Sequence, residues 1–457
     1  TTFKMVAAII LVFIIGYLLV VFEHPIKLDK TVPALAMGAI MWAIIGLGFH
    51  YGMMDVIDGH GNIFSLKGNL DQAAIEANEE GFTNTLLHHV GKIAEILVFL
   101  IGAMTIVELI DMHKGFEIIK EWIVTNNRKK LLWITGIIAF FLSAIIDNLT
   151  TTIVLISILR KLIHDRHERL WYVALIITAA NAGGAWSPIG DVTTTMLWIG
   201  KKVSSIKLIE YVILPATISF VVPYFLASFN KVFRGSISDH PDYTDKKAIK
   251  LLSSRKMLFL GLGAIIFVPI FKTITHLPPY LGMILSLSVV WAVSEFIHPE
   301  ENFDPANRHN YSPHKALSRI ELSSILFFLG ILLAIAAFES AVAGDASILR
   351  TGANYLVSVV PNINIVIILL GFLSSVIDNV PLVAAAIGMF ANPYDDSLWH
   401  FLAYTAGTGG SMLIVGSAAG VAAMGMEKID FIWYLKKITW LTLAGYLAGC
   451  AVFLMLV

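Results

Sequence analysis

Two copies of a short motif place a carboxylate beside an amide within otherwise apolar sequence. Residues 141–148 read FLSAIIDN and residues 372–379 read FLSSVIDN, so six of the eight positions are identical. Each copy ends in an Asp-Asn pair, at 147–148 and at 378–379. An ionisable group at membrane depth is costly unless it has a partner, so each pair is a candidate functional site. A duplicated pair of this kind is typical of transporters built from two repeats around a shared ion site.

The apolar runs that carry these pairs, 131–159 and 362–391, are too long for one straight membrane span of about 20 residues. Pro381 follows the second pair and cannot continue a helix freely. Turn backbone at membrane depth is tolerated where protein buries it or where it lines a polar cavity. We therefore predict two helical hairpins with an Asp-Asn pair at each tip. A straight helix whose Asp-Asn pair binds a neighbouring helix is the alternative.

Two later segments combine glycine with polar side chains. Residues 181–191 (NAGGAWSPIGD) contain three Gly and one Pro, and residues 407–417 (GTGGSMLIVGS) repeat those glycines at a spacing of 226. Glycine and proline at this density can unwind a helix and free its carbonyl oxygens. Close helix packing through small residues is the alternative. The predicted helix-breaking residues are Gly183, Gly184, Pro188, Gly190, Pro381, Gly409, Gly410 and Gly416.

These segments together offer the ligands that a small hard cation prefers. Carboxylates, amides, hydroxyls and freed carbonyls all supply oxygen, and the C-termini of half-helices add partial negative charge. Carboxylates also bind protons, so a cation and protons can compete for one site, which is the simplest chemical basis for exchange. The candidate cation- and proton-binding residues are Asp147, Asn148, Thr150, Thr151, Asn181, Ser187, Asp191, Thr193, Thr194, Ser375, Asp378, Asn379, Thr408, Ser411 and Ser417. Among them Asp147, Asp191 and Asp378 are the candidate Na⁺ carboxylates.

The composition indicates an all-α polytopic membrane protein. The chain is 57% hydrophobic and 14% charged, whereas a soluble domain has roughly 25% charged residues. Uncharged stretches of about 20 residues recur along its whole length. A net charge of −1 gives no basic face for nucleic acid, and the single Cys450 excludes an internal disulfide or a multi-thiolate metal site. We expect no resident cofactor and no enzymatic activity.

Apolar segments of helical length define the expected elements. A polar, acidic loop is expected at 51–90, with a candidate surface helix at 70–80, and further polar loops at 231–255 and 299–319. Besides the two hairpin runs, helices are predicted near 5–22, 32–50, 91–110, 171–199 (interrupted), 206–230, 256–273, 279–298, 321–343, 398–426 (interrupted) and 431–456.

Charge in the loops predicts that the two hairpins enter the membrane from opposite faces. Several Lys and Arg residues flank the first hairpin, whereas the flanks of the second carry only Arg350. Because basic loops stay on the cytoplasmic side, the two repeats are predicted to be inverted, with the N-terminus outside. The predicted organisation is scaffold helices and an external acidic loop at 1–90, a first repeat at 91–230, a cytoplasmic loop with linking scaffold helices at 231–320, and a second repeat at 321–457.

The order of these parts resembles that of the NhaD-type sodium/proton antiporters, members of the ion-transporter superfamily. The resemblance covers residues 91–456 and depends on the Asp-Asn tips followed by NAGGAWSPIGDVTTT and GTGGSMLIVGSAAG. It implies extrusion of Na⁺ and Li⁺ against inward H⁺ in the inner (plasma) membrane of a bacterium. It also implies a homodimer surrounded by membrane lipid, in which domains that carry the hairpins move as an elevator.

A sodium-coupled carrier for an organic anion or oxyanion is the alternative within the same superfamily. Dicarboxylate carriers of this type place Ser-Asn-Thr at the hairpin tips, where this chain has Asp147 and Asp378. Carboxylates there would repel an anionic substrate. An ion channel is a further alternative, although hairpins from both faces favour alternating access. An intramembrane aspartyl protease is another, but the inverted repeat has no use in that chemistry.

Overall fold

A computed structural model describes residues 2–123, 125–237, 251–297 and 311–457. Helices make up most of these ranges, and the strands found there form two short antiparallel hairpins. The all-α class predicted from composition is confirmed. Parts of the predicted polar loops at 231–255 and 299–319 lie outside the described residues.

Within the described ranges, nine helices are long and apolar enough to cross a membrane. They are α1 (Thr2–Val21), α3 (Thr31–His50), α4 (Gln72–Met112), α6 (Arg128–Ile146), α10 (Ser205–Ala227), α11 (Ser254–Thr275), α12 (Pro279–Phe296), α14 (Leu322–Ser340) and α21 (Thr439–Leu456).

Shorter helices and strands connect or interrupt these spans. The helices are α2 (Glu23–Ile26), α5 (Glu117–Trp122), α7 (Asn148–Leu162), α8 (Arg166–Ala185), α9 (Val192–Ile199), α13 (Pro313–Leu317), α15 (Ile348–Val359), α16 (Ile363–Leu373), α17 (Asn379–Met389), α18 (Ser397–Gly409), α19 (Ala418–Glu427) and α20 (Phe431–Lys437), with 3₁₀ turns at Lys231–Phe233 and Ile414–Gly416. The strands are β1 (Val56–Ile57), β2 (Ile63–Phe64), β3 (Val342–Ala343) and β4 (Ala346–Ser347).

The segment 51–90 differs from the expected loop. It contains the β1–β2 hairpin and the first part of α4, which begins at Gln72 rather than near residue 91. Asp71 Oδ1 accepts a hydrogen bond from the Ala74 backbone N–H at 2.8 Å, close to the start of this helix. Alanine and glutamate in 73–80 favour helix even without apolar periodicity. The candidate surface helix at 70–80 is therefore present, but it is continuous with the span that was predicted to begin near residue 91.

The chain divides into two compact units. The first comprises Thr1–Val98, Glu321–Val366 and Val380–Asn392, and the second comprises Phe99–Ile320, Ile367–Asn379 and Pro393–Val457. In the first unit α3 packs against both α1 and α14. The backbones of α3 and α14 come close because Gly330 has no side chain: a Cβ there would lie 2.4 Å from the Ala34 carbonyl carbon.

In the second unit α6 and α7 form a helical hairpin against α8. α6 starts where Arg128 Nη2 lies 2.8 Å from Glu168 Oε2, near the beginning of α8. It ends near the position where the Ser143 hydroxyl donates to the Ala180 carbonyl at 2.6 Å. α7 then returns to the end of α8 at which α6 began, because only residues 163–165 join α7 to α8. The turn of this hairpin is Asp147. That the hairpin re-enters one membrane face, and that the repeats are inverted, stay predictions.

Candidate cation site

Asp147 forms the turn between α6 and α7. Its φ angle of +78° is uncommon for a residue with a side chain, although Asp and Asn tolerate it better than others. Its carboxylate accepts hydrogen bonds from the Thr150 backbone N–H at 2.7 Å and from the Thr150 hydroxyl at 2.9 Å. The carboxylate therefore caps α7 and is held at the tip of the hairpin, where it is half-buried.

The two asparagines of the repeated motif converge on one carboxylate oxygen. Asn148 Nδ2 and Asn379 Nδ2 each lie 3.2 Å from Asp191 Oδ2. Asn148 Nδ2 also donates to Asn181 Oδ1 at 2.9 Å. All four side chains are buried, and Asp191 is only 3% exposed. The centre of the arrangement is thus Asp191 rather than either tip aspartate.

Asn181 connects the two glycine-rich segments. Its Nδ2 donates to Ser411 Oγ at 3.1 Å and to Ser417 Oγ at 3.0 Å. Asn181 Oδ1 is at the same time the acceptor for Asn148. One buried amide therefore joins the first hairpin tip to the segment that follows α18, more than 200 residues later in the chain.

Two short helices begin at this site. Asp191 Oδ1 accepts from the Thr193 backbone N–H at 2.9 Å and caps α9, while Ser417 Oγ accepts from the Gly420 N–H at 3.2 Å and caps α19. Asp191 and Ser417 are related by the spacing of 226 that relates the glycines. A helix N-terminus stabilises nearby negative charge, which helps to explain how a carboxylate is tolerated at this depth.

The three aspartates form one electrostatic group. The carboxyl groups of Asp147 and Asp378 both lie near enough to Asp191 to interact with it through space. Like charges at this depth repel each other strongly. A bound monovalent cation, or a proton on one carboxyl group, would relieve that repulsion.

Comparison with known proteins assigns the chain to a family. A family model described as "Citrate transporter" matches residues 17–409. Sodium/proton antiporter 1 of Arabidopsis thaliana is 41% identical over 98% of this chain and 72% of its own length. The Na⁺/H⁺ antiporter NhaD of Vibrio cholerae is 29% identical over 98% of this chain and 91% of its own length. The chain belongs to the NhaD-type sodium/proton antiporter family. The resemblance noted in the sequence is confirmed, and membership places the chain among multi-pass transporters rather than enzymes.

Two buried hydroxyls on α7 of this NhaD-type chain have no hydrogen-bond partner. They belong to Thr151 and Thr152, which follow the first tip on α7 and are both 0% exposed. An unsatisfied buried hydroxyl costs about 1–3 kcal/mol, so both oxygens are available to a ligand or to water. Thr151 is a predicted ligand. Thr152 is absent from the predicted set, and the run of three threonines at 150–152 is the signal that could have included it.

Other predicted ligands make local contacts. The hydroxyl protons of Thr194, Ser375 and Thr408 are donated to the backbone carbonyls of Asp191, Phe372 and Tyr404 at 2.9, 2.7 and 2.6 Å. Ser187 Oγ accepts from the Ile189 N–H at 3.4 Å within the turn after α8. These contacts stabilise the local backbone, and none of them is made to the Asp191 carboxylate.

The repeated glycines allow backbones to touch at the site. A Cβ at Gly183 would lie 2.1 Å from the Phe140 carbonyl oxygen, and a Cβ at Gly409 would lie 2.1 Å from the Gly371 carbonyl oxygen. Both glycines are still helical, and the breaks follow them at Trp186 and at Gly410. Packing of small residues and helix breaking, which were alternatives in the sequence, therefore occur side by side.

The remaining predicted helix breakers lie close to these breaks. Close backbone contacts also recur in corresponding positions of the two segments: Gly184 lies against the Gly190 carbonyl, as Gly410 does against the Gly416 carbonyl. Pro188 lies in the turn before α9. Pro381 lies in the first turn of α17, where a missing backbone N–H is not needed by the helix.

We expect Gly183→Ala to destabilise the protein by about 1–3 kcal/mol, because the added methyl group meets the Phe140 carbonyl, which cannot rotate away. The measurement is thermal unfolding of the detergent-purified protein. Gly263→Ala is the matched control, since a Cβ at that position on α11 meets nothing within 4 Å. Equal stability of the two variants would contradict the close contact between α6 and α8.

Proposed function

We propose that the protein exchanges Na⁺ for H⁺ across a membrane, with both ions competing for the site around Asp191. The observation that carries this proposal is the convergence of Asn148 and Asn379 on a single buried oxygen of that carboxylate. The names of the relatives, which include sodium/proton antiporters of bacteria and a plant, support the choice of ions.

Competition follows from the chemistry of the site. Without a cation, amide N–H groups satisfy the Asp191 carboxylate. Turning either amide over replaces its N–H groups by a carbonyl oxygen, which a cation accepts as a ligand. The unpartnered hydroxyls of Thr151 and Thr152 add further oxygens. Protonation of one carboxyl group removes the charge that holds the cation, so the ion leaves as the proton arrives.

The proposal also includes a second cation, the oligomeric state, the membrane, the orientation of the chain and the movement that carries the ions. We include Li⁺ as a second transported cation because it is also a hard monovalent ion. We propose a homodimer in lipid, in a bacterial inner membrane, with the N-terminus outside and with elevator-type alternating access. The charge of the loops supports the orientation, and the resemblance to bacterial NhaD proteins supports the membrane, the dimer and the elevator movement.

A sodium-coupled carrier of an organic anion is the second candidate function. The description of the matching family model, a citrate transporter, favours it. Asp147, Asp191 and Asp378 oppose it, because an anionic substrate would enter a region that already holds three interacting carboxyl groups. The exchange of cations agrees better with the charge of the site.

Proton flux in proteoliposomes at clamped voltage distinguishes the two functions. We expect an imposed Na⁺ gradient to move H⁺ in the opposite direction, with Li⁺ replacing Na⁺ and K⁺ giving little flux. Liposomes without protein are the control. Sodium-dependent uptake of labelled citrate with no movement of H⁺ would establish the second candidate instead.

We expect Thr193→Val to raise the Na⁺ concentration for half-maximal exchange about fivefold, because one neutral ligand is worth about 1 kcal/mol. Thr193 is buried, and its hydroxyl lies beside the Asp191 carboxyl without a hydrogen bond of ordinary geometry. The maximal rate should stay near that of the wild type. Thr193→Ser keeps the oxygen and is the control. Equal affinity in the Val and Ser variants would remove Thr193 from the ligand set.

A further inference from the structure

α7 and α19 pack against each other, and each begins at the candidate cation site and has a charged residue near its other end. The N-terminus of α7 is capped by Asp147 and that of α19 by Ser417, so both helices begin at the candidate cation site. Their far ends carry Arg160 and Glu427. With a rise of 1.5 Å per residue, these charged residues lie on the order of 15 Å along each helix from the site.

Glu427 is enclosed by arginines at that far end. Its Oε1 lies 2.6 Å from Arg160 Nε, and its Oε2 lies 3.0 Å from Arg169 Nη2. The Glu427 side chain is only 1% exposed. A carboxylate that is this buried is stable only with strong partners, and two guanidinium groups supply them.

Arginine also binds the backbone at the end of α19. Arg166 Nη2 donates to the carbonyls of Glu427 at 2.9 Å and of Lys428 at 2.8 Å, and Arg160 donates to the Met426 carbonyl. These carbonyls are among the last of the helix and have no partner within it, since Lys428 turns the chain with a φ of 51°. The side chain and the backbone of this helix end are thus both bound by arginines of α7 and α8.

We propose that Glu427 is a positioning residue for ion binding. It keeps α7 and α19 in register, so that Asn148, at the start of α7, and Ser417, at the start of α19, both stay in contact with the Asn181 amide. This proposal depends on the proposed Na⁺/H⁺ exchange. A helix is stiff over this length, so a shift at the arginine end is transmitted to the end that carries the ligands.

The test is Glu427→Gln, measured by proton flux and by the rise in melting temperature that Na⁺ gives to the purified protein, since a bound ion stabilises the folded state. We expect the Na⁺ concentration for half-maximal effect to rise about tenfold in both measurements, corresponding to about 1.4 kcal/mol. The maximal rate should change less than about twofold, and the pH profile of exchange should keep its shape. Glu427→Asp, which keeps the charge, should restore most of the Na⁺ affinity.

Glu168→Gln is the matched control. Glu168 is also buried and paired with an arginine, at 2.8 Å from Arg128, but this pair joins α6 to α8 and leaves α19 untouched. Because α6 and α8 also lead to the site, we expect it to lower stability and to weaken Na⁺ binding by a smaller factor than Glu427→Gln. The proposal is overturned if Glu427→Gln binds Na⁺ like the wild type, or if Glu168→Gln weakens Na⁺ binding equally.

Failure of the Glu427 proposal can be distinguished from failure of the proposed Na⁺/H⁺ exchange. If Glu427→Gln is not produced, Arg166→Gln replaces it, because that change removes only the backbone contacts at the end of α19; an unchanged Na⁺ affinity there also overturns the proposal. A wild type that shows neither sodium-driven flux nor stabilisation by Na⁺ refutes the proposed exchange itself.

Discussion

Asp191→Asn is expected to abolish sodium-driven proton movement, with a fall in rate of at least about 100-fold. The substitution removes the charge on which Asn148 and Asn379 converge, and with it the group that binds either ion. Each hydrogen bond to a charged group is worth about 1.5–3 kcal/mol, so the loss of this carboxylate exceeds the loss of any neutral ligand. The fold should persist, because asparagine caps a helix as well as aspartate does and the cap of α9 is kept.

The measurement is dissipation of a pH gradient by added Na⁺ in everted membrane vesicles, with protein abundance followed in the same membranes. Asp396→Asn is the matched control. Asp396 caps α18 through the Leu398 N–H at 2.9 Å, just as Asp191 caps α9. We expect this control to keep normal exchange. Normal exchange in Asp191→Asn would remove the central residue of the site and the proposed competition with it.

Asp147→Asn and Asp378→Asn are each expected to abolish the same proton movement while the protein is still produced. Both carboxyl groups interact with Asp191, so each substitution removes one of the three charges that attract a cation to the site. Asparagine adopts positive φ more readily than most residues, so the turn at +78° should survive in the first variant. Its side chain can also accept the bond from the Thr150 N–H that caps α7.

The tip variants are compared with Asp165→Asn. Asp165 caps α8 through the His167 N–H at 2.7 Å, with no role in the proposed site. Exchange that survives in both tip variants would exclude the tip carboxylates as ligands and leave Asp191 as the sole titrating group. Loss in only one of them would contradict the prediction for the other and would show that the two tip carboxylates have unequal roles.

Much of this protein could be predicted from local sequence. The apolar runs predicted most of the spans, the Asp-Asn pair predicted the break at Asp147, and the glycine-rich segment predicted the break that ends α8 at Ala185. The family was also recognisable from these motifs. The polar start of α4 was predicted as a separate surface helix. Its continuity with the following span was not predicted, because its helix-forming residues lack an apolar face.

The candidate cation site shows more clearly what could not be predicted from the sequence. The sequence predicted fifteen candidate ligands, three of them carboxylates, and only the tertiary structure singled out Asp191 as the point at which both tip amides meet. The same is true of Asn181, which bonds to Ser411 and Ser417, and of Glu427, which is enclosed by arginines more than 250 residues earlier.

The physical reason is the range of the interactions involved. Transfer of a segment into lipid and the start or end of a helix depend on residues within about one span, so composition and spacing determine them. Hydrogen bonds and ion pairs between distant segments depend on how helices pack, which no local pattern contains. The sequence by itself therefore determined most of the candidate ion ligands, and the packing decided which of them face one another.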